Sequence, residues 1–410
     1  MTELKSVDAH LKDILAGITP ISPLDLQLLD AHGCTLAEPV VADVDLPTFD
    51  NSGMDGYAVR LADVAAAGET SPVQLPVVGD IAAGSRPTYT VQPGMCVRIM
   101  TGAAVPPGAD AVVPLEWTDR GIATVTITRA PDDGAHIRRR GEDVAAGQTV
   151  LETGTRLGPG QLGLLAAVGR DRVVVRPRPR VVVISTGSEL VEPGNRTEPG
   201  QIHESNSYIL TTAAREAGAV AYRVGIVPDD DRKLMSAIED QLIRADLVLT
   251  SGGVSVGAYD VVKEVLSRLG TVKFGTVAMQ PGKPQGYGTV GPDSTPIITL
   301  PGNPVSSYVS FEVFVRPVIR RMLGVEPLHR PTVQAVCEEA LQSPRGRRQY
   351  ARAWLDLVDG RYFVHPVGGA GSHLVGNLAH ANALIVVPEE VTEVPAGGTV
   401  EVMVIERRLT

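Results

Sequence analysis

Residues 246–260 read "DLVLTSGGVSVGAYD": an apolar run ends in Ser-Gly-Gly, the chain passes a further glycine, and an aspartate stands where helical periodicity begins. Bare glycines allow a backbone to approach an anion and turn its N–H groups toward it. A carboxylate at the start of a helix is either a cap or a metal ligand. The flanking sequence has to decide between these readings.

Working outward, the apolar runs "RVVVIST" (180–186), "AYRVGIV" (221–227), "DLVLTS" (246–251) and "PIITLP" (296–301) alternate with helical stretches at 205–217, 231–244 and 260–269. Continuous Val/Ile/Leu strands interleaved with helices indicate a doubly wound parallel sheet covered on both faces. Such sheets bind ligands outside the carboxyl ends of their strands. Four loops fall at those ends: "TGSEL" (186–190), "PDDD" (228–231), "SGGVSVGAYD" (251–260) and "PGNPVSS" (301–307).

Either side of this region the pattern changes. The chain opens with a helix whose Val7, Leu11, Ile14 and Leu15 share one face, and 158–169 reads as another helix before the strand 172–180. Between them, short β-like runs such as "CVRIM" and "ATVTITR" are separated by Gly and Pro. The last segment returns to β-like runs from "TVQAVCE" to "TVEVMVI". The division expected is a first domain (1–45 and 138–178), a β-rich insert (46–137), an α/β domain (179–326) and a small C-terminal β domain (327–410).

Composition limits the function. A chain of 410 residues exceeds one ordinary core. No apolar run approaches the ~20 residues of a membrane span, and the N-terminus has no uninterrupted apolar core of a secretory signal, so a cytoplasmic protein is expected. Three distant cysteines, Cys34, Cys96 and Cys337, form neither a disulfide framework nor a zinc pattern and are expected reduced and buried. The net charge of −10 argues against a nucleic-acid-coating protein. An anionic ligand would need local donors instead, and "HIRRRGED" (136–143) and "SPRGRRQYAR" (343–352) are basic enough to be either such sites or solvated loops.

The four loops would gather into one crevice the N–H groups of Gly252, Gly253, Val254 and Ser255, the hydroxyls of Ser251 and Thr186, and the carboxylates of Glu189, Asp229 or Asp230, and Asp260. Donors opposed by carboxylates suit a pyrophosphate whose charge is bridged to protein by Mg²⁺. Each acid has a plainer alternative: Asp260 and one of Asp229–Asp231 as helix caps, Glu189 as a partner of a helix dipole. Neither a P-loop nor a dinucleotide fingerprint is present. Lys283 sits in a Pro/Gly-bounded turn, "MQPGKPQGYG" (279–288), as a point charge for an anion. Asn303 and Pro304 open a helix whose free N–H groups favour anions, or form an ordinary strand–turn–helix junction. Asp50, Asp55 and Thr101 occupy turns of the first half.

Taken in order, "DNSGMDGYAVR", "RIMTGAAVPPGADAVV", "IRRRGEDV", "STGSEL", "SGGVSVGAYD", "PGKPQGYG", "LPGNPVS" and "GSHLVGNLAHANALIVVP" resemble the molybdopterin molybdenumtransferase family, which includes the E domain of gephyrin. The resemblance covers nearly the whole chain. It implies insertion of molybdate into adenylylated molybdopterin with release of AMP, use of Mg²⁺, an elongated N-terminal domain with a β-rich insert, a C-terminal β-barrel, and a homodimer in which Asp55 and Thr101 complete the active site in trans. It also implies that the family's functional acids fall on Asp55, Glu189, Asp229 or Asp230, and Asp260, with Thr101, Pro301, Pro304 and Lys283 at further motif positions. One departure stands out: many relatives carry lysine where this chain has Gln280, which removes a cation from the oxyanion. Arg345, Arg347, Arg348 or Arg352 is the expected compensation. Rival readings are a molybdopterin adenylyltransferase, which needs only the α/β domain and could instead be a partner handing over the ligand; a non-catalytic scaffold; and a nucleotide pyrophosphatase.

Overall fold

The computed structural model describes residues 4–86, 88–252 and 261–406, and the chain divides into two compact units. One comprises residues 25–32 and 36–174; the other comprises 1–24, 33–35 and 175–410.

The 25–32/36–174 unit is built on a five-stranded sheet in the order Ala111–Pro114, Gly56–Val59, Cys96–Ile99, Val73–Ile81, Thr124–Ile127. All four residues of "GYAV" (56–59) are buried, because Tyr57 and Val59 join one apolar cluster and Ala58 joins another across the sheet. The sheet is therefore filled on both faces, which accounts for unbroken apolar runs where alternation would mark a solvated face. At its end the chain turns through Gly102 (φ +81), whose N–H donates to the Ser52 carbonyl. That turn places residues 100–103 beside 50–55.

The other unit carries a six-stranded sheet in the order Val220–Arg223, Arg180–Ser185, Leu247–Ser251, Thr295–Leu300, Pro284–Val290, Lys273–Thr276. The first four strands are parallel, as the alternation with helices requires. The last two extend it antiparallel: residues 284–290, which the sequence did not mark as a strand, follow directly on the bend that holds Lys283. Helices Asp231–Leu242 and Val261–Leu269 cover one face, while Asn206–Glu216 and the run from Pro304 to Leu323 cover the other. The N-terminal helix Val7–Ala16 also buries Val7 and Ile14 in the core beside this sheet, so the first helix packs against the α/β layer by contact.

Beyond Leu323 five strands close into a barrel: Arg348–Val358, Arg361–Pro366, Thr332–Cys337, Thr399–Val404, Ala383–Val387 and back to Arg348–Val358. Closure depends on the length of Arg348–Val358, whose first half pairs with Ala383–Val387 and second half with Arg361–Pro366. Closing a sheet on itself leaves no edge for aggregation. Two residues that precede the barrel in sequence, Met279 and Gln280, add a short parallel strand to it. All three cysteines are buried and outside any disulfide, and no described helix is long and apolar enough to cross a membrane.

Candidate active site

The order of the parallel strands reverses between Arg180–Ser185 and Leu247–Ser251, where Ser185 and Ser251 are register partners. Just beyond these strand ends lies a cleft of about 770 Å³. Its lining includes Thr186, Glu189, Asp229, Ser251, Gly252, Asn303 and Pro304, so the structure brings together loops from all four parallel-strand ends, as the sheet rule requires.

The acids separate by role. Asp229 Oδ2 accepts the Ser188 N–H (3.0 Å), and Ser188 Oγ accepts the Asp229 N–H (3.1 Å), which pins the acid to the loop bearing Glu189. Glu189 is exposed beside Gly187, where a side chain would meet its carboxylate at 2.6 Å. Asp230 is turned away: its carboxylate caps helix Asp231–Leu242 through the Lys233 N–H (2.9 Å). Asp260, Gly253, Val254 and Ser255 lie outside the described residues.

The donors are also partly engaged. The Gly252 N–H, expected to face a ligand, donates to the Leu300 carbonyl (3.2 Å). The Thr186 hydroxyl is turned to the Ser251 carbonyl (3.4 Å). Gly252 itself is required, since at φ +101 a Cβ would lie 2.5 Å from the Thr186 carbonyl oxygen. Asn303 occupies the cap position of helix Pro304–Ser310, yet its amide donates to Ser372 Oγ (3.0 Å) and leaves the helix N–H groups uncapped by it. Pro301 is buried behind this loop, and Lys283 is exposed without lining the cleft.

A second cavity of about 240 Å³ lies where Gln280 and Pro281 meet Gln349, Arg352 and Gly369. Arg352 is buried; its guanidinium donates from Nη1 to the Gly371 carbonyl (3.0 Å) and from Nη2 to that of Gly369. Its Nε is buried with no partner among the described residues. Of the arginines expected to stand in for the missing lysine, Arg352 therefore shares a cavity with Gln280. Arg348 is committed to Asp8 and Glu389.

In the other unit, Asp55 Oδ1 accepts both the backbone N–H (2.7 Å) and the hydroxyl (2.8 Å) of Thr101. These two bonds hold the exposed Asp55 carboxyl below its ordinary range.

Mg²⁺ takes oxygen ligands, commonly one or two carboxylates with substrate phosphates and water. Glu189 and Asp229 supply such a pair in one cleft, although no group of three or more potential metal ligands occurs among the described residues. The pair fits an ion completed by its ligand and does not make a closed protein cage.

The cleft also contains residues that the sequence did not single out. Asn206 and Glu204 come from "HESN" (203–206), and His373 reaches it from 371–388. Glu204 is buried and accepts from Ser185 Oγ (2.8 Å), the Ser207 N–H (2.8 Å) and Ser207 Oγ (2.5 Å), so it braces the cleft floor. A polar cluster just before a helix had offered only the signal of a cap.

Three family models match the chain: "MoeA N-terminal region (domain I and II)" over residues 5–169, "Probable molybdopterin binding domain" over 182–321 and "MoeA C-terminal region (domain IV)" over 334–405. The chain is similar to molybdopterin molybdenumtransferase 2 of Mycobacterium tuberculosis, at 48% identity over 97% of this chain and 99% of that protein. It is similar to the molybdopterin molybdenumtransferase of Bacillus subtilis at 37% identity, over 90% and 87% of the two chains. Its fold is similar to the crystal structure of the molybdopterin biosynthesis MoeA protein from Pyrococcus horikosii, with a TM-score of 0.78, 32% identity and coverage of 99% and 100%. With the α/β cleft, the closed barrel and near-full-length similarity in agreement, the chain belongs to the molybdopterin molybdenumtransferase (MoeA) family.

Proposed function

We propose that this protein inserts molybdate into the dithiolene of adenylylated molybdopterin and releases AMP, the final step of molybdenum cofactor biosynthesis. The observation that carries this reading is the switch-point cleft, which the hydroxyl residues Ser251 and Thr186 line together with the acids Glu189 and Asp229. A pyrophosphate uses both sets: its oxygens accept from hydroxyls, and the acids reach it through Mg²⁺. Glu189 and Asp229 would hold that ion, with Asp260 the further acid of the same loop set; bound there, the ion neutralises charge on the phosphates.

The protein's own contribution is positioning and electrostatics. Ser251 and Thr186 lie at the strand ends to orient the phosphates, while Pro301, Asn303 and Pro304 shape the opposite wall. The basic cavity at Arg352 is the proposed molybdate site. Its buried Nε, without a partner among the described residues, is a donor suited to an oxyanion, and Gln280 adds an uncharged amide where relatives use lysine. Lys283, in the bend after Gln280, is the nearby exposed cation. Cleavage of the phosphoanhydride by water or a molybdate oxygen releases AMP and leaves the dithiolene to take up molybdenum.

The spans of the family models, 5–169, 182–321 and 334–405, support the proposed division into an N-terminal part with its insert, an α/β domain and a C-terminal β domain. A cytoplasmic homodimer is proposed, in which Asp55 and Thr101 complete the partner's active site, and a separate molybdopterin adenylyltransferase supplies the ligand.

The test is AMP release from adenylylated molybdopterin with molybdate and Mg²⁺ each present or omitted. Release dependent on both supports the insertase reading. Binding without any AMP release would replace it by that of a non-catalytic scaffold.

A further inference from the structure

Asn206, at the first turn of helix Asn206–Glu216, donates its side-chain amide to two groups from separate strand ends: Ser251 Oγ (2.8 Å) and the Gly302 carbonyl (2.6 Å). A carbonyl oxygen can only accept, so the amide orientation is fixed with Nδ2 toward both. Asn206 Oδ1 is consequently left buried with no donor among the described residues. The amide ties the loop after Leu247–Ser251 to the loop after Thr295–Leu300. It also sets the polarity of a hydroxyl. Because Ser251 Oγ accepts from Asn206, its own proton must be directed elsewhere, and among the described residues no acceptor for it is found. Ser251 and Asn206 both line the cleft.

We propose that Asn206 is a positioning residue that braces the two loops and turns the Ser251 hydroxyl proton into the cleft, to donate to an anionic phosphate oxygen of the ligand. This rests on reading the cleft as a phosphate site. Asn206 itself does not touch the phosphate; it acts through Ser251, and that dependence separates it from a residue that only stabilises the fold.

The test is calorimetric titration of full-length protein with inorganic pyrophosphate and Mg²⁺, comparing wild type, N206A, S251A and the N206A/S251A double variant, with melting temperatures alongside. A hydrogen bond to a charged group predicts a loss of about tenfold or more in affinity for each single variant. The double variant should bind within about threefold of S251A, since the lost orientation has no hydroxyl left to act on. Losses that multiply, or N206A binding as wild type, would overturn the assignment while leaving the cleft reading intact. A wild-type protein that binds no pyrophosphate would overturn the cleft reading and this assignment with it. Should N206A fail to fold, the isosteric N206D substitutes. Its carboxylate accepts the Ser251 proton, so affinity should fall by more than tenfold, and that loss should shrink at least threefold in an S251A background; an unchanged loss would overturn the proposal.

Discussion

Asp55 and Thr101 form a two-point contact in which one carboxylate oxygen accepts both the backbone N–H and the hydroxyl of the threonine. The backbone bond contributes most to lowering the Asp55 pKa and the hydroxyl contributes next. Thr101 therefore acts on Asp55, and its own hydroxyl is already engaged. Replacing it by valine keeps the shape and the N–H but removes the O–H. In T101V the Asp55 titration followed by carbon NMR should move up toward, without reaching, its ordinary value. A lowered folded-state pKa stabilises the protein above the unfolded pKa of ~3.9 and loses that effect as pH falls through the folded value. The T101V penalty should accordingly appear at neutral pH and fade in acid. It should be small, because Asp55 is exposed and screened. An unmoved Asp55 titration would refute the assignment.

His10 gives a stronger pH effect. It is buried edge-on between Tyr287 and Phe314, and burial, aided by Lys5, lowers its pKa to about 4. The unfolded chain, with a histidine pKa of ~6.5, binds more protons between these values, so stability must fall as pH drops from about 6.5 toward 4. The size is roughly 3 kcal/mol at the acid end. H10F should flatten this part of the stability curve measured by urea unfolding. An identical slope in both proteins would exclude His10 as the source.

Gly252→Ala places a methyl group where 2.5 Å separates it from the Thr186 carbonyl oxygen, on a backbone at φ +101. The cost should be about 1–3 kcal/mol in global stability. Pyrophosphate affinity should drop further than that loss of folding alone explains, because relief of the contact moves the loop that carries Ser251. Wild-type affinity in a folded variant would show that this loop's position is unimportant.

Glu204→Ala removes the acceptor shared by Ser185 and Ser207 and leaves Arg223, 3.5 Å from Glu204, with Glu192 as its remaining carboxylate partner among the described residues. About 2–4 kcal/mol of destabilisation is expected in chemical denaturation, since buried hydrogen-bonding groups lose their partner. A change below 0.5 kcal/mol would show that the floor repacks freely.

Arg352→Ala should raise the molybdate concentration needed for half-maximal AMP release by at least about tenfold. Pyrophosphate binding should stay within twofold, because Arg352 lines a different cavity from the acids. Unchanged molybdate dependence would remove Arg352 from the oxyanion site.

The parallel strands were legible because "RVVVIST" and "DLVLTS" carry unbroken Val/Ile/Leu runs, and burial on both faces demands that pattern. The two antiparallel strands were not. Residues 284–290 contain Pro284, Gly286 and Gly288, which locally signal a turn; pairing with Thr295–Leu300 overrides that preference. At the site, "PDDD" shows that a cap exists but not which aspartate provides it. That depends on backbone direction at Asp230, which leaves Asp229 facing Ser188. Asn206 was hidden for a related reason: its two partners are 45 and 96 residues away, and no local pattern encodes a contact at that distance.

Met279 and Gln280 hydrogen-bond alongside Arg348 and Gln349, although a helical stretch and the whole of the last parallel strand intervene. The barrel is thus not a detachable cassette. A chain cut before residue 327 would lose the partner of that short strand and, with it, the wall that places Gln280 opposite Arg352. Exchange of C-terminal modules between relatives would succeed only if the donor carried its own version of residues 279–280, so these two stretches are expected to be inherited as a unit.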